Sequence, residues 1–521
     1  MGNSVHYEVV PLPQEITYQR GVAFYLSDKT VILYPEDNTL MRRNALFLAD
    51  YIRETTGWQL VVEGTQVNGI RPINAIILML NDHISQEEGY EIIVKSRTIT
   101  VQGRTANGVF YGIQTLRKAI PRTVNADELA FPAVHIRDYP RFAYRGMMLD
   151  VCRHFFPVEF VKRFIDILAL HNVNTFHWHL TDDQGWRIEI KKYPKLTEIG
   201  AVRKETVLGK NTQTYDGIPY GGYYTQEEIK TVIAYAQERY ITIIPEIEIP
   251  GHSLAALAAY PELGCAGEGY EVATRWGIFK DVLCIGNEAS IPFIEDVLSE
   301  VTDLFPSKYI HIGGDEAPRD HWKQCPKCQA LIRAKGLQAD EKHTAEDRLQ
   351  SYCTQHVETF LKGKGRRIIG WDEILDGDIA EEATVMSWRG MTGGINAAKL
   401  GHDVIMTPRT HLYFDYYQST DTEKEPLAIG GFSDVENVYS LEPVPAELTD
   451  EEKQHILGVQ ANLWAEYIPT VEHVEYMILP RLAALSEVQW LKAEKKNFDG
   501  FLTRLPALLS IYDLNGYNFR K

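Results

Sequence analysis

Eight short apolar runs, each followed by a polar loop, recur through residues 144–464 and constrain the fold more than any other feature of the chain. They cover 144–151, 174–180, 241–249, 308–314, 367–374, 383–389, 403–409 and 456–464. Helical patterns such as 158–172 and 225–240 lie between them, and the second opens with a capping box of Thr225 and Glu228. This alternation predicts an α/β fold, a (β/α)8 TIM barrel. A doubly wound open sheet is the alternative, but it does not normally need eight such units.

The residues before the barrel show a different pattern. Stretch 89–103 alternates apolar and polar residues on both sides of a turn, which predicts a hairpin, and helical patterns cover 40–55 and 107–120. These elements indicate a small α+β domain, which a proline-punctuated stretch ends near residue 139. We therefore predict an N-terminal α+β domain over 1–139, a barrel over 140–495 and a C-terminal helical extension over 496–521.

The charge balance narrows the possible partners. The chain of 521 residues has 53 basic and 71 acidic side chains, a formal net charge of −18. This argues against nucleic acid or an anionic membrane surface as a partner. No run approaches about 18 consecutive apolar residues, so no membrane span is predicted. The opening stretch 1–13 lacks the apolar core of a signal peptide.

The cysteines have two possible uses. Cys265 and Cys284 flank one loop and could be bridged in an oxidising compartment. Cys325 and Cys328 stand in a C-P-K-C sequence, which by spacing is half of a zinc site. A second such pair is missing from the sequence. The pattern therefore favours loop cysteines or a local disulfide over structural zinc.

Polar and aromatic residues collect where the predicted barrel strands end, the edge at which barrel enzymes place their chemistry. From the first strand to the eighth they are Arg153 and His154; His177, His179, Asp182 and Asp183; Glu246, Glu248 and His252; Asp315 and Glu316; Trp371; Trp388; Tyr413 and Asp415; and Trp464 and Glu466. Singly, each has an ordinary structural explanation, such as a helix cap, a core residue or an ion pair. Together, at one end of one barrel, they indicate a binding pocket.

His177 and His179 share one face of the second strand, as two ligands of a catalytic metal would. A metal-dependent hydrolase would need further ligands, a lysine or more histidines, at later strand ends. The fourth to sixth strand ends offer Asp315, Glu316 and tryptophans instead. No catalytic metal is therefore expected.

Seven motifs resemble glycoside hydrolase family 20, the β-N-acetylhexosaminidases. In chain order they are YRGMMLDVCRHF, FHWHLTDDQGWR, PEIEIPGH, HIGGDE, GWDEI, MSWRG and GVQANLWAE. The α+β unit resembles that family's N-terminal domain. The resemblance implies a retaining, exo-acting enzyme that hydrolyses terminal β-linked GlcNAc or GalNAc from glycans without a cofactor. A periplasmic or secreted location is expected for such an enzyme.

The resemblance also assigns roles to residues. Glu316 is implied as the general acid and then the base, Asp315 as the group that orients the substrate's acetamide N–H, and Tyr413 as the donor to the acetamide carbonyl. The substrate-binding residues that it implies are Arg153, Asp182, His252, Trp371, Trp388, Asp415, Trp464 and Glu466. One departure is Glu248, where the family often has Asp, so its role toward His252 is in doubt.

The adjacency of Asp315 and Glu316 fits this family's chemistry. An ordinary retaining glycosidase needs two carboxylates about 5 Å apart on opposite sides of the sugar. Neighbouring residues are poorly placed for that, whereas a substrate whose own acetamide oxygen attacks the anomeric carbon needs no protein nucleophile. A barrel that binds N-acetyl sugars without cleaving them is the second hypothesis, but such a protein would be expected to lose the acid.

Overall fold

The computed structural model describes residues 4–66, 72–122 and 127–521, so Met1–Asn3 of the opening stretch lie outside the described residues. Eight parallel strands close into a barrel, which confirms the predicted fold class. The barrel strands are Tyr144–Asp150, Thr175–His179, Thr242–Glu246, Tyr309–His311, Arg367–Trp371, Thr384–Ser387, Val404–Met406 and Ile456–Leu463. Each one lies within one of the eight apolar runs.

Helices cover the outside of the barrel. The longer ones are Val158–Leu170, Gln226–Glu238, Ser290–Leu304, Ala345–Gly363, Thr392–Lys399, Val471–Ile478 and Arg481–Trp490. Every residue of the first strand is buried, as expected where a parallel strand is covered on both faces. The predicted capping box is present, because the Thr225 side chain accepts from the Glu228 amide and the Glu228 carboxylate accepts from the Thr225 amide.

Further elements lie in the loops and connections of the barrel. The helices are Lys195–Glu198, Leu254–Ala259, Asp320–Gln324, Pro326–Lys335, Arg409–Leu412, Val435–Ser440 and Asp450–Lys453. Two small antiparallel pairs join Thr181–Asp182 to Gly185–Trp186 and Val202–Arg203 to Tyr220–Gly221. The long loops after the third and fourth strands carry several of these elements and shape the carboxyl end of the barrel.

The N-terminal unit is a seven-stranded mixed sheet with two helices. Its strands, in spatial order, are Glu15–Tyr18, Val134–Asp138, Tyr90–Lys95, Thr98–Gly103, Ala75–Leu80, Val31–Pro35 and Val61–Thr65. Its helices are Thr39–Thr56 and Ala106–Ala119, and Phe24–Ser27 pairs separately with Glu128–Phe131. The predicted hairpin is present, since Tyr90–Lys95 pairs antiparallel with Thr98–Gly103.

A buried arginine ties this sheet to the barrel. Arg145, on the first barrel strand, is fully buried and its Nη2 lies 2.7 Å from Glu88 Oε2. Its guanidinium also stacks 5.0 Å from the ring centre of Trp490, the last residue of a barrel helix. The chain ends with the helix Phe498–Leu514. The proposed domain boundaries stay predictions, and within the described residues no helix is long and apolar enough to cross a membrane.

Candidate active site

A pocket of about 220 Å³ opens at the carboxyl end of the barrel. Its lining comprises Arg153, Asp315, Glu316, Trp371, Trp388, Arg409, Tyr413, Asp415, Tyr416, Ile429, Trp464 and Glu466. All the predicted site residues except Asp182 and His252 therefore face one cavity, and those two lie directly behind it. The convergence follows from the barrel, because loops from distant parts of the sequence meet where the strands end.

The adjacent acids sit on a strained turn after the fourth strand. Gly313 and Gly314 have φ of 70° and 89°, and Glu316 has φ of 44°, a left-handed conformation that a non-glycine residue seldom adopts. The turn points both carboxyl groups to one region: Asp315 is buried, whereas the Glu316 side chain is 32% exposed. Strain of this kind persists only where the surrounding structure holds it, and it is common at functional sites.

His252 connects the acid pair to a second pair of acids behind it. Its Nδ1 lies 2.8 Å from Asp183 Oδ2 and 3.1 Å from Asp182 Oδ1. Its Nε2 lies 3.4 Å from both Asp315 Oδ2 and Glu316 Oε1. Burial opposes a charge on the imidazole, but the carboxylates of Asp182, Asp315 and Asp183 outweigh it and raise the pKa of His252 well above its ordinary value. A protonated His252 therefore stands beside both members of the acid pair.

Arg153 lies close to three acidic side chains of the site. Its guanidinium contacts Asp150 Oδ2 at 3.0 Å, Asp182 Oδ2 at 3.2 Å and Glu466 Oε1 at 3.6 Å. Burial works against a charge on Asp182, but Arg153 and His252 reverse this and hold the pKa of that carboxyl well below its usual range. Asp182 thus supports the site as a buried anion between two cations. Arg153 also stacks 5.3 Å from the ring of Trp464, which fixes that side chain.

Aromatic side chains form the walls of the pocket. The indole of Trp371 donates to Glu246 Oε1 at 2.7 Å, and that of Trp388 donates to Glu373 Oε2 at 2.9 Å. Trp388 and Tyr413 lie almost parallel, with ring centroids 6.0 Å apart and an interplanar angle of 11°. Each indole is therefore held at its polar edge, and its ring forms part of the pocket wall.

Burial raises the pKa of two side chains that line the pocket. Burial raises the pKa of the Tyr413 hydroxyl well above its ordinary value, so it remains a hydrogen-bond donor. Burial, together with the nearby Glu466, raises the pKa of Asp415 well above that of an exposed carboxyl. In the part of the chain that the structure describes, Asp415 Oδ1 has no hydrogen-bond partner. Both groups are thus available to a polar ligand.

The two histidines considered as metal ligands belong to a hydrogen-bonded network. Glu246 Oε2 lies 2.6 Å from both His177 Nε2 and His179 Nδ1. The remaining nitrogens are also engaged, because His179 Nε2 lies 2.7 Å from Asp182 Oδ2 and His177 Nδ1 lies 2.9 Å from the Gln460 amide. All four ring nitrogens contact side chains, so the pair orders Glu246 and Asp182 behind the pocket.

Sequence reasoning gave no role to some of these residues, although it placed Asp183 at the end of the second strand. Asp183 is the closest partner of His252, and Glu373 anchors Trp388. The guanidinium carbon of Arg409 lies 5.7 Å from the ring centroid of Trp388. The only feature of the sequence that could have indicated this residue is its position just after the seventh strand. Among the described residues, Glu248 forms no ion pair with His252, and its Oε1 lies 4.0 Å from His179 Nδ1. Asp183, and not Glu248, is therefore the carboxylate that contacts His252 most closely.

Comparison with known proteins agrees with this architecture. Residues 142–493 match the model of the glycosyl hydrolase family 20 catalytic domain, and residues 6–139 match that of domain 2 of the same family. A beta-hexosaminidase of Porphyromonas gingivalis is 45% identical over 519 residues, which is 98% of this chain and 64% of that relative. A beta-hexosaminidase of Vibrio furnissii is 38% identical over 472 residues, which is 88% of this chain and 76% of the relative.

Solved structures show the same likeness. A GH20 exo beta-N-acetylglucosaminidase from Vibrio harveyi, in complex with N-acetylglucosamine, superposes with a TM-score of 0.84 at 33% identity. The match covers 100% of this chain and 79% of that one. The barrel and the acid-bearing, aromatic-walled pocket at its carboxyl end define the class, a glycoside hydrolase. The chain belongs to glycosyl hydrolase family 20.

Proposed function

We propose that this chain is a retaining, exo-acting β-N-acetylhexosaminidase that releases terminal β-linked GlcNAc or GalNAc from glycans by substrate-assisted catalysis. The observation that carries the proposal is the unpaired carboxylate oxygen of Asp315, the residue next to Glu316. Among the described residues, Asp315 Oδ1 is buried without a hydrogen-bond partner, while Oδ2 faces His252. A buried, unpaired carboxylate oxygen is costly unless a ligand satisfies it, and an acetamide N–H would do so.

In the first step, Glu316 gives a proton to the glycosidic oxygen as the bond from that oxygen to the anomeric carbon breaks. The acetamide carbonyl oxygen attacks the same carbon, and the product is a cyclic oxazolinium whose positive charge Asp315 stabilises. In the second step, Glu316 takes a proton from water, which attacks the anomeric carbon and opens the ring. Two displacements at one carbon retain its configuration.

Tyr413 and the aromatic walls would hold the acetamide for this attack. The protonated Tyr413 hydroxyl donates to the acetamide carbonyl oxygen and keeps the nucleophile near the anomeric carbon. Trp371, Trp388 and Trp464 line the same cavity and offer apolar faces to the methyl group and the sugar ring. The substrate thereby supplies the nucleophile and the protein fixes its geometry.

The volume and the polar lining of the pocket favour a single terminal sugar. Its volume of about 220 Å³ is below the range of about 300–1,000 Å³ that drug-sized ligands occupy, so it suits one pyranose better than a chain. Arg153, Asp415 and Glu466 add further polar groups to its lining. These groups would hydrogen-bond the outer hydroxyls of a non-reducing end.

The proposed substrate also suggests where the protein acts. Polymeric glycans with terminal N-acetylhexosamine are met outside the cytoplasmic membrane, so we propose a periplasmic or secreted location. Fractionation of cells that express the native gene, with a cytoplasmic marker enzyme as control, tests this. Activity that follows the cytoplasmic marker would contradict it.

A comparison of two aryl substrates tests the mechanism. The β-N-acetylglucosaminide and the plain β-glucoside of the same phenol are offered to one preparation, so that only the acetamide differs. We expect fast cleavage of the first and essentially none of the second. Comparable cleavage of both would require a protein nucleophile and overturn the proposal. Binding of GlcNAc without cleavage of either substrate would favour the binding-only alternative.

A further inference from the structure

Four cysteines meet between the two loops that carry the polar residues behind the pocket. Cys265 and Cys284 belong to the loop after the third strand, and Cys325 and Cys328 belong to the loop after the fourth. Their four sulfur atoms all lie within 4.8 Å of one another. Cys284 Sγ lies 3.6 Å from the sulfurs of both Cys325 and Cys328, and Cys265 Sγ lies 4.0 Å from that of Cys328.

These distances fit ligands of one metal ion and not disulfide bonds. A disulfide has a sulfur–sulfur distance of about 2.05 Å, and all four residues are free thiols. In a tetrahedral zinc site with Zn–S bonds of about 2.3 Å, neighbouring sulfurs lie about 3.8 Å apart. Three of the six separations are 3.6, 3.6 and 4.0 Å, which lie on either side of that value, and none exceeds 4.8 Å.

The backbone around the cluster is arranged to hold it. Cys325 is the N-cap residue of the helix Pro326–Lys335 and Cys328 lies in its first turn, where the helix dipole favours thiolates. Cys284 and Cys328 are fully buried, whereas Cys265 is partly exposed and gives an ion access from solvent. The site thus combines a closed ligand set with an entry path.

Gly286 shows how closely the two loops approach beside the cluster. A Cβ atom at this position would lie 2.2 Å from the carbonyl carbon of Lys327 and 2.3 Å from the amide nitrogen of Cys328. The loops are also hydrogen-bonded, since the indole of Trp322 donates to the Leu283 carbonyl at 2.9 Å. Any larger residue than glycine would therefore require the backbone of one loop to shift beside Cys328.

We propose that Cys265, Cys284, Cys325 and Cys328 bind one structural Zn²⁺ that joins the loops after the third and fourth strands. The first of these loops carries His252 and the second carries Asp315 and Glu316, so the ion would fix the two loops on either side of the His252 contacts. Its role is positional, because a closed set of four cysteines leaves no coordination site for substrate. The sequence pattern favoured loop cysteines or a local disulfide because it could not show that two distant cysteine pairs meet.

Metal and thiol content give the first test. Full-length protein purified without chelator is analysed by plasma mass spectrometry, and the zinc released by a mercurial reagent is titrated with a colorimetric chelator. We expect one zinc per chain, and six thiols in the denatured protein. Protein that holds no zinc, or that shows only two thiols because two disulfides have formed, would overturn the proposal.

Reconstitution with cobalt identifies the ligands. Zinc-free protein is titrated with Co²⁺ alone, and the visible bands of a tetrahedral tetrathiolate site are expected to saturate at one equivalent. Added Zn²⁺ should remove these bands. Co²⁺ spectra typical of octahedral oxygen coordination would overturn the assignment, whatever the stoichiometry.

A matched pair of variants tests the ligands individually. Cys328→Ser removes one ligand, whereas Cys353→Ser removes a buried cysteine that is not in the cluster. We expect zinc to fall to background in C328S, with a lower melting temperature, and to remain at one equivalent in C353S. If C328S does not fold, the wild-type protein answers the question, because chelator should lower its melting temperature and Zn²⁺ should restore it. Zinc retention in C328S, or a melting temperature insensitive to chelator, would overturn the proposal.

Discussion

Glu316→Gln offers the sharpest test of the assigned general acid. Glu316 Oε1 lies 3.4 Å from His252 Nε2. Glutamine keeps the size and position of this side chain, but it cannot transfer a proton. Proton transfer by a positioned side chain contributes about 10²–10⁴-fold to a rate. We therefore expect kcat to fall by about that factor for a poor leaving group, equivalent to about 3–5 kcal/mol of barrier. KM should change little, because the shape of the pocket is retained.

The dependence on the leaving group separates this role from a structural one. Aryl N-acetylglucosaminides with a range of phenol acidities are compared, since an acidic phenol leaves without being protonated. The loss in the first step should be smallest for the most acidic phenol and largest for an alkyl aglycone. Azide should raise the remaining rate with acidic phenols and give the β-glycosyl azide, because an anionic nucleophile needs no general base in the second step.

Glu373→Gln is a suitable control for these measurements. Glu373 is a neighbouring carboxyl that accepts from the Trp388 indole, and burial followed by the charge of Asp315 raises its pKa to about 8. Its replacement can alter the pocket wall, but it should leave the dependence on leaving-group acidity unchanged. If Glu316→Gln lowers the rate equally for all leaving groups, Glu316 is not the general acid and the assignment is refuted.

Three further outcomes are expected. Asp315→Asn should slow formation of the cyclic intermediate by about 10²–10³-fold, since a preorganised charge is lost, and should weaken inhibition by a thiazoline analogue of that intermediate; unchanged inhibition would contradict its role. Tyr413→Phe should lower kcat for N-acetyl substrates while the Tyr413–Trp388 stacking is kept; an unchanged kcat would remove it as the acetamide donor. Burial lowers the pKa of His171 to about 3, below its unfolded value of about 6.5, so between these values the unfolded state binds a proton that the folded state does not. The free energy of unfolding should therefore decrease, by up to about 1.4 kcal/mol per pH unit, as the pH is lowered from about 6.5 toward 3. His171→Gln should flatten this part of the urea-unfolding profile from pH 7 to 4, and an equal slope in both proteins would refute the argument.

Much of the fold could be predicted from the sequence because local patterns determine it. The apolar runs are strands since a strand buried on both faces needs continuous apolar residues, as Tyr144–Asp150 shows. The site residues could be placed at one end because a parallel barrel brings all its strand ends together. The assigned roles of Glu316, Asp315 and Tyr413 stay predictions until the variants are measured.

What could not be predicted depends on contacts between loops. Asp183 was not preferred over Asp182, because their order in the chain does not show which carboxylate faces His252. The cysteine cluster was missed for the same reason, since Cys265 and Cys328 are 63 residues apart on separate loops. No periodicity describes such contacts, which arise only after the barrel has set the positions of the loops.

The distribution of charge behind the pocket explains how so many acids can share one site. Asp182 has two cations as partners, Arg153 and His252, so it can stay ionised while fully buried. Glu248 is different: within the described ranges neither of its oxygens has a hydrogen-bond partner, and burial together with Asp315 raises its pKa well above the ordinary value. Both effects disfavour a negative charge on Glu248 behind Asp315. His252 also lies 3.4 Å from both Asp315 and Glu316, so its charge acts on the two acids beside which the positive charge on the substrate would form.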